Sequence, residues 1–103
     1  MTKYELGEVV AERKLNLVSN DAATVPCLVR VGKPVQVDDD TWICPYQIEA
    51  GERIRTLGMH GIDSMQALVL TMETLDVEIA FVAKILGASV QYLEGSHNSV
   101  FKP

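Results

Sequence analysis

The chain has 103 residues, with 14 acidic and nine basic side chains, which gives a formal net charge of −5 with both histidines neutral. The length and the content of hydrophobic residues (48%) and charged residues (22%) predict one globular domain over residues 1–103 and exclude a chain that is disordered throughout. Because no Lys/Arg cluster offsets the acidity, we expect no nucleic-acid partner; the charge either maintains solubility or suits a basic partner protein.

Residues 1–18 predict a loosely docked N-terminus followed by a strand. The first six residues contain no apolar run of the signal-peptide type, so we expect a cytoplasmic protein with reduced thiols. Apolar and polar residues alternate from residue 7 to residue 18, which indicates a half-buried strand. Arg13 interrupts the apolar side of this strand and is expected to reach solvent at an edge.

Two further strands are predicted over residues 24–31 and 41–48, separated by a loop that ends in three aspartates. Pro26 lacks an N–H group, which indicates an edge position or a bulge in the first of them. A simple hairpin with both apolar sets on one side of the sheet fixes three opposing pairs: Cys27–Cys44, Val25–Tyr46 and Val29–Trp42. The two thiols would then be near neighbours in the core, either as small buried hydrophobes or as a redox pair.

A short fourth strand is predicted over residues 53–57, after a turn at residues 49–52. Arg53 and Arg55 alternate along this strand, so one of its faces is cationic. The pattern is typical of a solvated face or of an edge strand protected by charge. It would also suit a carboxylate or an acidic partner surface.

A long helix is predicted to follow this strand. Asp63 is a favourable N-cap residue, Gln66 can complete a capping box, and Ile62 can supply the apolar residue that precedes the cap. The helix runs to about Leu86, where Gly87 is a natural terminator. Its four charged residues make it a poor membrane span, so we expect no membrane association.

The apolar residues of this helix cover more of its circumference than contact with one sheet requires. Six of them are spaced four and three apart and form the stripe expected to face the sheet: Leu68, Met72, Leu75, Ile79, Val82 and Leu86. Eight more lie outside that stripe: Met65, Val69, Leu70, Val77, Ala80, Phe81, Ala83 and Ile85. Three explanations remain open: a curved sheet and the C-terminal segment wrap the helix, the helix forms a homodimer interface, or a ligand groove runs along it.

The predicted fold class is α+β: an antiparallel four-stranded meander packed against one long helix in the C-terminal half of the chain. A short fifth strand is a further candidate over residues 88–93, where apolar and polar residues alternate again. Residues 100–101 are expected to pack back on the domain.

The chemically active side chains predict no catalytic, cofactor-binding or metal-binding site. His60 lies close to Asp63 in the sequence, as a general base and its carboxylate would, but Asp63 is assigned to the helix cap. Cys44, the only candidate nucleophile, is expected to face the core. Residues 38–40 lack the spaced ligands and distal glutamate of a calcium loop. Residues 58–61 are similar to an anion-binding turn but lack the lysine and hydroxyl residue of a P-loop.

Three motifs carry a resemblance to a known family. They are Trp42-Ile43-Cys44-Pro45-Tyr46, then Gly61-Ile62-Asp63-Ser64-Met65-Gln66-Ala67-Leu68, then Tyr92-Leu93-Glu94-Gly95 with a terminal Phe101-Lys102-Pro103. On these motifs the chain, from about Val9 to its end, resembles a family of small uncharacterised bacterial proteins that is known as a domain of unknown function. Members often end in a Gly-Phe-Pro-like sequence, from which Val100 and Lys102 depart. The resemblance implies a single domain and supplies no activity, cofactor or site residue.

The function expected from the sequence is a non-enzymatic protein-interaction or binding module, of an immunity-type or regulatory kind by analogy with other small acidic domains. It would act as a homodimer or bind a protein partner through the apolar helix. The alternative is a small-ligand carrier or an enzyme with a pocket between helix and sheet, near Cys44, Tyr46 and His60. A closed core with an apolar patch on the helix favours the first, and a deep pocket with converging polar groups favours the second.

Overall fold

A computed structural model describes residues 4–21 and 23–92. The α+β class is confirmed, but the antiparallel sheet is larger than a four-stranded meander because two additional short strands, β3 and β6, join it. The elements in chain order are β1 (Val9–Ser19), β2 (Thr24–Gly32), β3 (Val35–Asp38), β4 (Thr41–Ala50), β5 (Arg53–Gly61), α1 (Ser64–Ile85) and β6 (Ala88–Gln91). Residues 100–101, which were expected to pack on the domain, lie outside the described residues.

Strand β4 organises the sheet. It pairs with β5 over residues 42–50, and on its other edge with β3 over residues 41–43 and with β2 over residues 46–50. Pro45 falls in the gap between those two partners, where a missing N–H group removes no ladder hydrogen bond on that edge. Strands β2 and β3 therefore act as one strand that is interrupted at residues 33–34.

The hairpin predicted between the second and third strands has the wrong register. Strand β3 makes the hairpin with β4, and the Asp38 carboxylate closes its turn by accepting a hydrogen bond from the Asp40 N–H (2.9 Å). Strand β2 pairs further along β4, so Cys27 lies opposite Ala50 and six residues away from Cys44. At about 3.3 Å per residue, that offset separates the two thiols by roughly 20 Å along the sheet.

The other two predicted pairs are wrong for the same reason, since Val29 lies opposite Ile48 and Tyr46 opposite Val31. The offset is an even number of residues, so the prediction that both apolar sets face one side of the sheet is confirmed. That side forms the core together with the helix, and its buried strand residues are Leu15, Leu17, Cys27, Val29, Val31, Cys44, Tyr46, Ile48 and Ala50.

Pro26 and Arg13, in the first two strands, do not lie where the sequence predicted. Pro26 was expected at an edge or a bulge, but β2 is a central strand with β1 and β4 as neighbours, and Pro26 lies where its ladder with β4 ends. Arg13 was expected to reach solvent at an edge. It is half-buried, and its guanidinium carbon lies 4.2 Å from the centre of the Tyr92 ring.

The strand before the helix is longer than predicted, and the strand after it is shorter. Strand β5 continues to Gly61 instead of stopping at residue 57, and the predicted C-terminal strand is β6, which pairs with β1 over Asn16–Ser19. Gly61 permits the abrupt passage from strand to helix, because a Cβ atom there would lie 2.5 Å from the Ala67 backbone nitrogen. Helix α1 therefore returns the chain from the β5 edge of the sheet to the β1 side.

The predicted helix termini are confirmed with one change. The Asp63 carboxylate accepts from the Gln66 N–H (2.7 Å), as an N-cap should, but the Gln66 side chain accepts from the Ile62 N–H (2.8 Å) and not from that of the cap residue. The Ile62 side chain is 71% exposed, so it adds little packing before the cap. At the other end Gly87 has a φ of 60° and donates its N–H to Lys84 O (3.2 Å).

The predicted helix stripe is confirmed at Leu75, Ile79 and Val82, which are buried, and Met72 and Leu86 pack against the core; it differs at its N-terminal end. The buried stripe of α1 consists of Ala67, Thr71, Leu75, Ile79, Val82 and Ala83, while Leu68 from the predicted stripe is exposed. Small side chains at the first two positions let the start of α1 approach β4 closely, and the Thr71 hydroxyl donates to Ala67 O (2.9 Å), with Cys44 O also within reach (3.4 Å). The buried stripe departs from the predicted one mainly at its N-terminal end, where Ala67 and Thr71 are buried and Leu68 is exposed.

Candidate functional site

The structure does not assemble the pocket that was considered near Cys44, Tyr46 and His60. Cys44 and Tyr46 are buried on the helix side of the sheet, whereas alternation along β5 places His60 on the opposite side. There the Nε2 atom of His60 lies 3.2 Å from the Tyr4 hydroxyl oxygen. A nucleophile and a base on opposite faces of one sheet cannot act on the same substrate.

The two cysteines are free thiols held in the core. Burial, with a contribution from the nearby Glu49 carboxylate, raises the pKa of the Cys27 thiol to about 11. Burial also raises the pKa of the Cys44 thiol. Both therefore stay protonated at neutral pH, and their separation along the sheet excludes a disulfide between them, so the redox-pair interpretation is wrong.

The loops considered as ion sites have structural uses. Asp38 closes the β3–β4 turn, and residues 58–61 belong to strand β5, not to an anion-binding turn. Gly58 provides room for an aromatic ring, since a Cβ atom there would lie 2.7 Å from the Tyr4 ring. Within residues 4–21 and 23–92, no cluster of three potential metal ligands is present. No helix in the described part of the chain combines the length and apolar character needed to cross a membrane.

An ion-pair network that the sequence did not reveal crosses the outer side of the sheet. Arg30 of β2 lies 3.1 Å from both the Glu12 and Glu49 carboxylates and donates to the Gln47 side chain (2.8 Å). Glu49 and Glu12 raise the pKa of Arg30. Cross-strand neighbours thus neutralise this cation, which makes the network a feature of sheet stability.

Two exposed apolar surfaces flank the buried stripe of α1. The first, which we call the N-terminal flank, comprises Met65, Leu68 and Val69. Their spacing of three and four residues places them on one side of the first two turns, and Met65 is 75% exposed. The half-buried Met72 continues this surface to a depression of about 120 Å³ that it shares with strands β1 and β2.

The second surface, the C-terminal flank, comprises Val77, Phe81 and Ile85 on the side of α1 next to β5. Val77 is 71% exposed. The Arg55 guanidinium carbon lies 5.9 Å from the centre of the Phe81 ring, and Arg55 Nη1 lies 3.5 Å from the Glu78 carboxylate. A mixed apolar and charged surface therefore lies between the helix and the sheet edge.

The Glu78 carboxylate links this surface to the core. Burial, followed by the neighbouring Glu78 charge, raises the pKa of Tyr46 to about 12. The cation of Arg55 acts in the opposite direction. Tyr46 is consequently a neutral phenol at any physiological pH. Arg55 and Glu78 form an ion pair at the margin of the core.

The two arginines predicted on one face of the fourth strand lie on the helix side of the sheet. They pair with Ile48 and Ala50 of β4, whose side chains are buried on that side. Arg53 is exposed at the end of the sheet, and Arg55 lies beneath the C-terminal flank. The sequence identified their shared face but not their position beside Phe81, since that depends on how far the helix runs back along β5.

These features define a small α+β domain whose distinctive exposed elements, among the described residues, are two apolar flanks of one helix. The chain belongs to the family described as Domain of unknown function (DUF6968), whose model matches residues 11–102. No curated protein and no solved structure gives a significant match to it. The family assignment agrees with the resemblance found in the sequence and leaves the function to be inferred from the surface.

Proposed function

We propose that this chain is a non-enzymatic protein-interaction module that self-associates as a two-fold dimer through the N-terminal flank of α1. The observation that supports this proposal is the exposure of Met65 and Val69 beside Leu68 on consecutive turns of the helix. Adjacent exposed apolar side chains of this kind typically mark an interaction site, and methionine is enriched at such surfaces because it adapts its shape.

The chemistry of the N-terminal flank favours a second copy of the chain as its partner. Its three members are uncharged, so a two-fold axis through the flank brings apolar groups together without opposing like charges directly. The C-terminal flank is less suited to self-contact, because Arg55 would face its own copy. Two helices crossing at the N-terminal flank would interdigitate side chains spaced three and four residues apart.

The alternative of a ligand carrier or an enzyme has weaker support, because Cys44 and His60 lie on opposite sides of the sheet. The two buried free thiols suit a reducing compartment, so we place the module in the cytoplasm.

Sedimentation velocity over a concentration series of the full-length chain tests this proposal. We expect a dimer at high micromolar concentration. Replacing Met65 and Val69 with glutamate should weaken dimerisation by at least about 100-fold, because two carboxylates per copy would be buried without partners. The matched control places the same charges on the other flank, with Val77 and Phe81 replaced by glutamate, and should leave the dimer intact.

A chain that stays monomeric at high micromolar concentration would contradict the proposal. So would a Met65→Glu, Val69→Glu variant that dimerises as the unmodified chain does. Circular dichroism on both variants establishes that they are folded, which we expect because the replaced side chains are exposed.

A further inference from the structure

Strand β5 offers an unpaired edge beside the C-terminal flank. It is nine residues long and pairs with β4 in continuous register from Arg53 to Gly61, with no bulge. No strand of residues 4–21 or 23–92 pairs with its other edge. Its sequence contains no proline, so each residue carries a backbone N–H group, and its regular pairing with β4 keeps the other edge in the extended geometry that accepts a further strand.

The side chains next to this edge restrict what can pair with it. A strand added to β5 would place alternate residues on the helix side of the sheet, opposite Arg53, Arg55 and Leu57. Val77 and Phe81 lie beside Arg55, where a depression of about 300 Å³ is present among Arg55, Glu78 and the two apolar side chains. Among the described residues no ion pair joins Arg53 to a carboxylate, and Arg55 has one, to Glu78.

We propose that the β5 edge and the C-terminal flank together bind an extended segment of another protein, which adds to the sheet as a strand and carries acidic residues two positions apart. The alternating carboxylates pair with Arg53 and Arg55, and an apolar residue beyond them contacts Phe81. This surface is separate from the N-terminal flank, so the proposal stands or falls independently of self-association.

The charges of β5 favour such a partner over a second copy of the chain. Its residues include no aspartate or glutamate, so pairing two β5 edges would supply no carboxylate to the four guanidinium groups brought together. Inward-facing arginines also oppose the addition of apolar strands, which is how many proteins keep an open edge from aggregating. The same pair of charges thus excludes apolar strands and selects acidic ones.

Selection of a display library of short random segments on the full-length chain, in low salt, tests this proposal. We expect the enriched segments to share two acidic residues separated by one position. A synthetic peptide of the most enriched sequence, measured by fluorescence anisotropy, should bind at least about 10-fold more weakly to an Arg53→Glu, Arg55→Glu variant. Salt near 0.5 M should weaken binding by at least about threefold, since exposed charges are then largely screened.

Two controls separate strand addition from simple charge attraction. A Lys14→Glu, Lys33→Glu variant changes the net charge equally at exposed positions and should alter binding by less than about twofold. Two versions of the peptide are methylated on the backbone nitrogens, one at its odd-numbered and one at its even-numbered residues. Only one of the two should lose binding, since only one of these sets of N–H groups faces β5.

Charge reversal at Arg55 places a carboxylate near Glu78 and could disturb the fold there. The single Arg53→Glu variant avoids this problem, because Arg53 is exposed and forms no ion pair with Glu78. It should weaken peptide binding by about three- to fivefold. The proposal is overturned if selection enriches no acidic pair, if both arginine variants bind the peptide as the unmodified chain does, or if both methylation patterns leave binding intact.

Discussion

The buried stripe of α1 and its two exposed flanks both contain large aliphatic side chains, but these meet different surroundings. Leu75 and Ile79 are fully buried against the sheet, whereas Val77 and Phe81, two positions further along in each case, are half or more exposed. The sheet therefore buries one side of the helix, and apolar side chains on both flanks stay exposed. The comparison shows that apolar side chains on one helix can serve stability or association according to the face they occupy.

The largest expected difference lies between truncating the stripe and truncating a flank. Leu75→Ala should lower the free energy of unfolding by about 2–5 kcal/mol, because it removes buried methyl groups and leaves a cavity. Val77→Ala, at an exposed position, should change it by less than about 0.5 kcal/mol. Urea unfolding of both variants measures the two values, and similar losses for both would contradict the assignment of Val77 to an exposed flank.

The second prediction is a loss of stability at alkaline pH that arises in the buried core and not on the flanks. The unfolded Cys27 thiol titrates near pH 9, while its folded pKa is about 11, so the unfolded state binds fewer protons between these values. The free energy of unfolding should therefore fall as pH rises from 9 to 11, by about 2 kcal/mol from this group. Below pH 9 the contribution is complete, and the raised pKa of Tyr46 extends the loss towards pH 12.

Urea unfolding at a series of pH values measures this loss. Cys27→Ala should be less stable at every pH but should lose less stability between pH 9 and 11, because the titrating group is absent. A Phe81→Ser variant of the C-terminal flank should lose as much stability between pH 9 and 11 as the unmodified chain does. If Cys27→Ala also loses as much stability over this pH range as the unmodified chain, burial of the thiol does not account for the alkaline loss.

Local patterns predicted much of the fold because they depend on neighbouring residues. Alternation identified four strands and the buried face of the first three, and the Asp63–Gln66 and Gly87 signals located both ends of the helix. The β2–β4 register was not predictable in this way, because β3 inserts its own hairpin between them. An even offset leaves every apolar side chain on the same face, so the hydrophobic pattern alone cannot distinguish the two registers.

The candidate surfaces were only partly predictable for a related reason. The excess of apolar residues on the helix was visible in the sequence, but its division into two flanks depends on which residues of α1 the sheet buries. At the start of the helix these are Ala67 and Thr71, and the contact of Thr71 with β4 is a tertiary contact that three-four spacing does not encode. The position of Arg55 beside Phe81 likewise requires knowing that α1 runs back along β5.

The smallest expected effect distinguishes the two flanks from each other. Asp63→Ala removes the side chain that accepts the Gln66 N–H and should cost about 1 kcal/mol of stability by fraying the first turn. Met65 lies in that turn, so dimerisation should weaken by about two- to fivefold. Acidic-peptide binding at Arg53 and Arg55 should be unchanged, because that end of β5 lies near the other half of the helix. Asp39→Ala, in the exposed β3–β4 turn, is the matched control for loss of one charge. Equal effects of Asp63→Ala on both kinds of binding would mean that the flanks are not independent surfaces.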